Sequence, residues 1–237
     1  MQELFFFGAA LFLLFPMENY HDPQLIEFLE NMLTPERKIL FNKVINQRTN
    51  HFTVATEDVY QLHNTSAVIR SCDVFGIQNI HVIEERNRKK IDREIAMGAQ
   101  KWVSITRHHT SSDSIKYLKD KGYQIVGTTP HGEATTLDAF DISLPSAIFF
   151  GTEKDGLSPE VMNSADEFIT IPMRGFTDSL NISVSAAIIL QHITQKLRNS
   201  NIKWELSENE KNAVKFEWLS KSFKNLPQLI KRFQDNA

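Results

Sequence analysis

The chain of 237 residues contains one cysteine, Cys72. A single thiol excludes an intramolecular disulfide and any multi-cysteine zinc or iron–sulfur centre, and it fits a reducing compartment. Nine glycines and eight prolines exclude collagen-like or linker-dominated sequence. Excess charge is lacking too: 26 basic against 29 acidic side chains leave a formal charge of −3. Proteins that coat polyanions wholesale are usually strongly basic, so any nucleic-acid contact here has to come from local patches. The longest apolar run, Leu4 to Phe15, would cover about 18 Å as a helix, short of a bilayer core of about 30 Å. The run lacks the positive flank and small-residue cleavage site of a secretory signal. Three readings of it stand: a start-site error with Met17 as the true initiator, a short packing or membrane-touching segment, or a weak export signal. Residues 1–16 are set outside the fold in each, and no stable membrane association is expected.

Hydrophobic residues at 41% and charged residues at 23% are what a folded globular chain carries. The length allows one large domain or two small ones. Asp22 to Gln47 reads as helix, with an apolar stripe through Leu25, Ile26, Leu29 and Leu33, and Pro35 breaking or restarting it. From Phe52 short apolar runs alternate with helical patterns. Strands are expected at Phe52–Thr56, Ile80–Ile83, Trp102–Thr106, Gln124–Thr129, Ala147–Phe150 and Phe168–Ile171. Helices are expected at Thr65–Phe75, Ser111–Lys121, Pro159–Ala165 and Ser183–Arg198. This alternation predicts an α/β fold with a mainly parallel sheet and helices on both faces. Ligands in such sheets sit beyond the carboxyl ends of the strands. From Asn201 the chain turns basic and could pack one or two helices onto the core. The expected organisation is a helical N-terminal extension over 17–50, an α/β domain over 51–199 and a helical C-terminal extension over 200–237.

Two familiar phosphate loops are missing. Gly151 to Gly156 has the first spacing of a P-loop, but Leu157-Ser158 stands where lysine and Ser/Thr are required, so an NTPase is excluded. No G-x-G-x-x-G occurs, which removes support for a dinucleotide-binding Rossmann turn. The eight histidines show no ligand spacing, so no metal is expected. His108-His109 reads as a solvated strand end.

Three polar segments each follow an expected strand. They are His63-Asn64-Thr65-Ser66-Ala67-Val68-Ile69-Arg70, Gly151-Thr152-Glu153-Lys154-Asp155-Gly156, and Ile171-Pro172-Met173-Arg174 running to Ser179-Leu180-Asn181-Ile182-Ser183-Val184-Ser185-Ala186. In this order they resemble the N-x-x-A-x-x-R, G-x-E-x-x-G and I-P-M…S-L-N-x-S-x-A motifs of the SpoU branch of the SPOUT RNA methyltransferases. Gly98-Ala99-Gln100-Lys101-Trp102-Val103 is similar to a segment of its tRNA guanosine-2′-O-methyltransferase subgroup. The resemblance covers about Phe52 to Arg198. It implies a C-terminal trefoil knot, S-adenosylmethionine as cofactor, a homodimer, a cytoplasmic location and methyl transfer to a ribose 2′-hydroxyl. The implied substrate is tRNA at a D-loop guanosine, because no separate N-terminal RNA-binding domain precedes the motifs. A ribosomal RNA 2′-O-methyltransferase of the same fold and a non-catalytic RNA-binding module are the alternatives.

Residue by residue, the resemblance makes Arg70 the group that activates the 2′-hydroxyl. A guanidinium is always protonated, so stabilising a developing alkoxide or gripping a phosphate are the readings open to it. The bland reading is a surface ion pair with Asp73. Asn64 would orient Arg70 or cap the Thr65 helix, Glu153 would orient ligand or arginine, and Ser179 and Asn181 would bond the ribose or methionine moiety. Asn181 is also suited to cap the helix starting near Ser183. Thr128, Gly151, Ile171 and Leu180 would line the cofactor pocket. Arg37, Lys38, Lys43, Arg48 and Arg174 are expected to contact RNA, with Arg86, Arg88, Lys89 and Lys90 as further candidates. Cys72 reads as a small buried residue rather than a nucleophile. Two departures from the family stand out. Glu18, Asp22, Glu27 and Glu30 occupy the early helix, where many relatives have an arginine-rich arm. Asp178 replaces a neutral amide, and could pair with Arg70 or Arg174 or alter substrate choice.

Overall fold

The computed structural model describes residues 22–58, 62–84 and 96–235. The apolar run at 1–16 and the basic residues Arg86, Arg88, Lys89 and Lys90 lie outside them. Contacts divide the chain into one unit over Arg48–Glu205 and a second built from the described residues of Met1–Gln47 and Leu206–Ala237.

The larger unit is built on a seven-stranded sheet. Its strands are β1 (Phe52–Glu57), β2 (Asn79–Ile83), β3 (Ser104–His108), β4 (Gln124–Thr128), β5 (Thr135–Thr136), β6 (Ser146–Phe150) and β7 (Glu167–Thr170). They lie in the order β3-β2-β1-β6-β4-β7-β5, and each neighbouring pair is parallel. β1 and β6 occupy the centre, paired from Phe52↔Ser146 to Thr56↔Phe150. Every residue in both is buried, which is why they read as continuous runs rather than alternations.

The strand period of two divides the core between the two faces. Val54, Ile148 and Phe150 meet α3 (Leu62–Phe75) through Val68, Ile69 and Cys72, and α6 (Ile182–Arg198) through Ala186, Ile189, Leu190 and Ile193. Ala55, Ala147 and Phe149 meet α4 (Ser111–Asp120) through Ile115 and Leu118, and α5 (Pro159–Ser164) through Val161. The expected parallel sheet covered on both faces is present.

Several boundaries differ from expectation. Gly98 takes a left-handed φ of 84° and starts a 3-10 turn over Ala99–Lys101 that Trp102 terminates, so β3 begins at Ser104 rather than Trp102. α3 begins at Leu62, which places Asn64 in its first turn and not at a cap. β5, two residues long, was too short to leave a pattern.

In the smaller unit, Asp22 caps α1 (Pro23–Glu30) and Thr34 caps α2 (Pro35–Ile45), so Pro35 restarts the helix. The tail forms α7 (Glu208–Ser222), opened by a Ser207/Glu210 capping box, and α8 (Leu226–Asp235). α1 packs on both and α2 on α7. Phe41 stands edge-on to the buried Trp218 at 5.4 Å, and Lys215 pairs with the buried Glu30 at 3.0 Å.

Candidate active site

Because every pairing is parallel, the carboxyl ends of β1, β6, β4 and β7 lie along one edge of the sheet. The segments that follow them carry the three motifs. α3 follows β1 and brings Asn64, which is 5% exposed. The Gly151–Gly156 loop follows β6, and the Ile171–Asn181 segment follows β7 and ends at α6.

These segments meet at one carboxylate oxygen. Glu153 Oε1 accepts from Asn64 Nδ2 at 3.0 Å and from Asn181 Nδ2 at 2.7 Å. Asn181 Nδ2 also donates to Asn64 Oδ1 at 3.2 Å. The Oδ1 of Asn181 accepts from the Ser183 N–H at 2.8 Å and the Ser183 hydroxyl at 2.5 Å, and so caps α6. A carboxylate offers no donor, so both amides must turn N–H toward it, which fixes their orientation. Asn181 therefore spends both amide hydrogens and both lone pairs inside the protein. It is a keystone between the second and third motifs.

The loop holding Glu153 closes on itself. Thr152 N–H donates to Gly156 O at 2.8 Å, and Gly156 N–H returns to Thr152 O at 3.1 Å. A side chain on Gly151 would put its Cβ 2.2 Å from the carbonyl carbon and oxygen of Gly156 and 2.4 Å from Leu157 N. Only glycine allows the backbone this approach. Gly156 is glycine for another reason: its φ is +70° and its surroundings are open.

The four residues expected around a cofactor border this edge. Thr128 ends β4, with its hydroxyl donating to Phe149 O at 2.8 Å. Gly151 and Ile171 follow β6 and β7, and Ile171 packs partly buried against the core. Leu180 is 36% exposed.

Other expected residues are not drawn into the cluster. Arg70 and Ser179 are exposed and make no hydrogen bond or ion pair among the described residues. Asp73 does not pair with Arg70; it accepts the guanidinium of Arg48. Asp178 and Arg174 are exposed, and Asp178 pairs with neither Arg70 nor Arg174 among the described residues. Arg48 requires a correction. It is 1% exposed and serves both the carboxylate and the backbone carbonyl of Asp73, so it offers no surface charge to RNA. Arg37 and Lys43 are exposed on α2, with Arg37 over the Phe41 ring, and Lys38 donates to Asn31 Oδ1 at 2.7 Å. Cys72 is fully buried, and that burial pushes its thiol far above the ordinary range, which suits a packing residue.

His108 is also not a solvated strand end. Its Nε2 lies 2.9 Å from Nδ1 of the buried His81 on the neighbouring strand, and Tyr117 packs against both rings. Burial lowers the pKa of both histidines, His81 to about 4.

Residues 51–191 match the model of the SpoU rRNA Methylase family, and the chain belongs to that family. Among its relatives, the Borreliella burgdorferi protein named tRNA (guanosine(18)-2′-O)-methyltransferase is 38% identical over 200 residues, 84% of this chain and 92% of its own. The crystal structure of the Aquifex aeolicus TrmH/SpoU tRNA modifying enzyme is similar at a TM-score of 0.72 and 30% identity, covering 79% of this chain and 96% of that one. A Sinorhizobium meliloti rRNA methyltransferase solved with AdoMet bound is similar at a TM-score of 0.57 and 27% identity, over 65% of this chain and 59% of its own.

Proposed function

We propose that this chain is an S-adenosylmethionine-dependent methyltransferase acting on the ribose 2′-hydroxyl of a D-loop guanosine in tRNA. The observation that carries the reading is the meeting of Asn64, Glu153 and Asn181 on a single oxygen at the carboxyl edge of the sheet. Three motifs far apart in sequence converge there, in a chain whose relative in Borreliella burgdorferi is named for that reaction.

The residues at the edge fit the cofactor. Ile171 and Leu180 offer partly exposed apolar surface, which suits an adenine ring. The Thr128 hydroxyl is already spent, and Gly151 brings backbone close, so recognition there falls to main-chain groups. S-adenosylmethionine would supply a methyl group activated on a sulfonium sulfur. Arg70, permanently charged, stabilises the alkoxide that develops as the 2′-hydroxyl loses its proton, or holds the adjacent phosphate. Ser179 keeps its hydroxyl for the ribose or methionine moiety. Arg37, Lys38, Lys43 and Arg174 contact phosphates, which positions RNA without reading its sequence.

The active form in this reading is a homodimer. Val184 and Ile188, one turn apart on α6, are 45% and 39% exposed, and Val74 on the adjoining α3 is 67% exposed. Large apolar groups on packed helices are what an interface between copies covers. The knot is supported by the strand order. β7 lies between β4 and β5, which follow one another in sequence, so the chain leaving β7 has to pass their connection. The methyltransferase domain is taken as 51–199. A tRNA substrate and the lone thiol support work in the cytoplasm.

The test is transfer of labelled methyl from S-adenosylmethionine to unmodified tRNA and ribosomal RNA in parallel, followed by nucleoside identification. Labelled 2′-O-methylguanosine from tRNA supports the proposal. Label in ribosomal RNA alone replaces the substrate, and absence of transfer with either RNA overturns the activity.

A further inference from the structure

Glu57 is the last residue of β1 and is 3% exposed, a place where a carboxylate needs partners. Both of its oxygens have one. Oε1 accepts a short hydrogen bond from the Ser111 hydroxyl at the start of α4, and Oε2 accepts from the Ser158 N–H at 2.7 Å. Neither partner belongs to a motif. Ser158, however, immediately follows Leu157, where the Glu153 loop returns to the core.

The loop is a stiff link between two anchors. At one end Gly151 continues β6 and presses on the Gly156–Leu157 backbone. Across the loop Thr152 and Gly156 exchange two hydrogen bonds, and the Asp155 N–H donates to Thr152 Oγ1 at 2.9 Å. At the other end Leu157 is buried and the Ser158 N–H sits on Glu57. The Ser158 hydroxyl cannot hold this end alone, because it is turned to the Val161 N–H as the cap of α5.

We infer that Glu57 is a positioning residue for the methyl-transfer reaction: by fixing the Ser158 end of the loop it sets the place of Glu153 against Asn64 and Asn181. This rests on the function proposed above. Glu57 touches no reacting group. Its effect passes through the Glu153 carboxylate, whose separations from the two amides are hydrogen-bond distances that a shift of about 1 Å would break.

The experiment is a double-mutant cycle on the full chain, with kcat and KM measured for tRNA and labelled S-adenosylmethionine. Glu57→Ala is expected to lower kcat by about 10²-fold, the scale of a 1 Å misplacement, with KM for tRNA little changed. Glu57→Gln is expected to stay within about threefold, because its amide oxygen still accepts from Ser158 and its N–H can donate to Ser111 Oγ. In a Glu153→Ala background, Glu57→Ala should cost nothing more in kcat, read by single-turnover labelling. Equal losses in both backgrounds, or a fall in melting temperature with kcat per folded molecule unchanged, would overturn the inference. Inactive wild-type protein would instead count against the proposed function.

Discussion

Gly151 and Gly156 close the same loop for different reasons, and replacing each with alanine separates them. At Gly156 the added methyl meets open space, so the cost is that of a left-handed residue with a side chain, about 1–2 kcal/mol. At Gly151 the new Cβ would lie 2.2 Å from two backbone atoms and 2.4 Å from a third. No rotamer relieves a clash between Cβ and backbone, so the strand end and the loop return must separate. Relieving the clash adds overpacking strain of about 1–3 kcal/mol. It also opens the two Thr152–Gly156 hydrogen bonds, worth about 1 kcal/mol each. Gly151→Ala should therefore destabilise the loop by about 3–5 kcal/mol. Glu153 would be carried off Asn64 and Asn181, and methyl transfer should fall by at least about 10²-fold. Gly156→Ala should retain transfer within about tenfold. Urea unfolding and initial rates on the same preparations measure both. Equal behaviour of the two variants, in stability and in rate, would refute the geometric argument.

Asn181→Ala removes the α6 cap and both inter-motif bonds; it should cost about 1–2 kcal/mol in urea unfolding and lower kcat far more than KM. Arg48→Ala strips the partly exposed Asp73 carboxylate of its buried partner and should cost about 1–3 kcal/mol, while the salt slope of tRNA affinity, read by filter binding, stays unchanged. The His81 imidazole takes a proton near 6.5 when unfolded and only near 4 when folded, so the unfolded state binds more protons between those values. Stability should be complete above about pH 6.5, fall by about 2 kcal/mol at pH 5, and level off below about pH 4. A His81→Asn variant that keeps the same acid slope would refute that assignment.

The sheet was legible because burial on both faces leaves a continuous apolar run at β1 and β6, and the helices because their apolar residues recur at helical spacing. The site was legible only through resemblance. Asn64, Glu153 and Asn181 are 89 and 28 residues apart along the chain, and no periodicity links them. What stayed hidden were partners. Arg48 reads as one more cation in a basic cluster, and only the fold brings Asp73, 25 residues on, to its guanidinium. His108 reads as a strand end until the β2–β3 pairing puts His81 beside it. Glu57 falls one residue past the expected end of its strand at Thr56. Its partners Ser111 and Ser158 lie 54 and 101 residues away, on different elements. A buried charge declares itself through a long-range partner, which a linear pattern does not contain.

Asn64 and Arg70 share α3, but six residues turn an ideal helix through 600°, leaving Arg70 about 120° around the axis from Asn64 and about 9 Å along it. Asn64 faces Glu153, whereas Arg70 is exposed and unbonded among the described residues. One chain therefore presents the trio and the arginine in different directions. One arrangement open to the proposed homodimer is a complete site that takes the trio from one copy and Arg70 from the other. Arg70→Ala and Glu153→Ala homodimers would then each be inactive. A hybrid of the two would keep one intact site, with wild-type Arg70 from the Glu153→Ala copy and an intact trio from the Arg70→Ala copy. After statistical exchange of subunits, the mixture should recover about a quarter of wild-type activity, since half the dimers are hybrids with one working site. If arginine and trio act within one chain, every site in the hybrid carries a defect and mixing restores nothing. Rate measurements on the mixed and unmixed variants decide between the two arrangements, and failure to recover activity would refute the shared site.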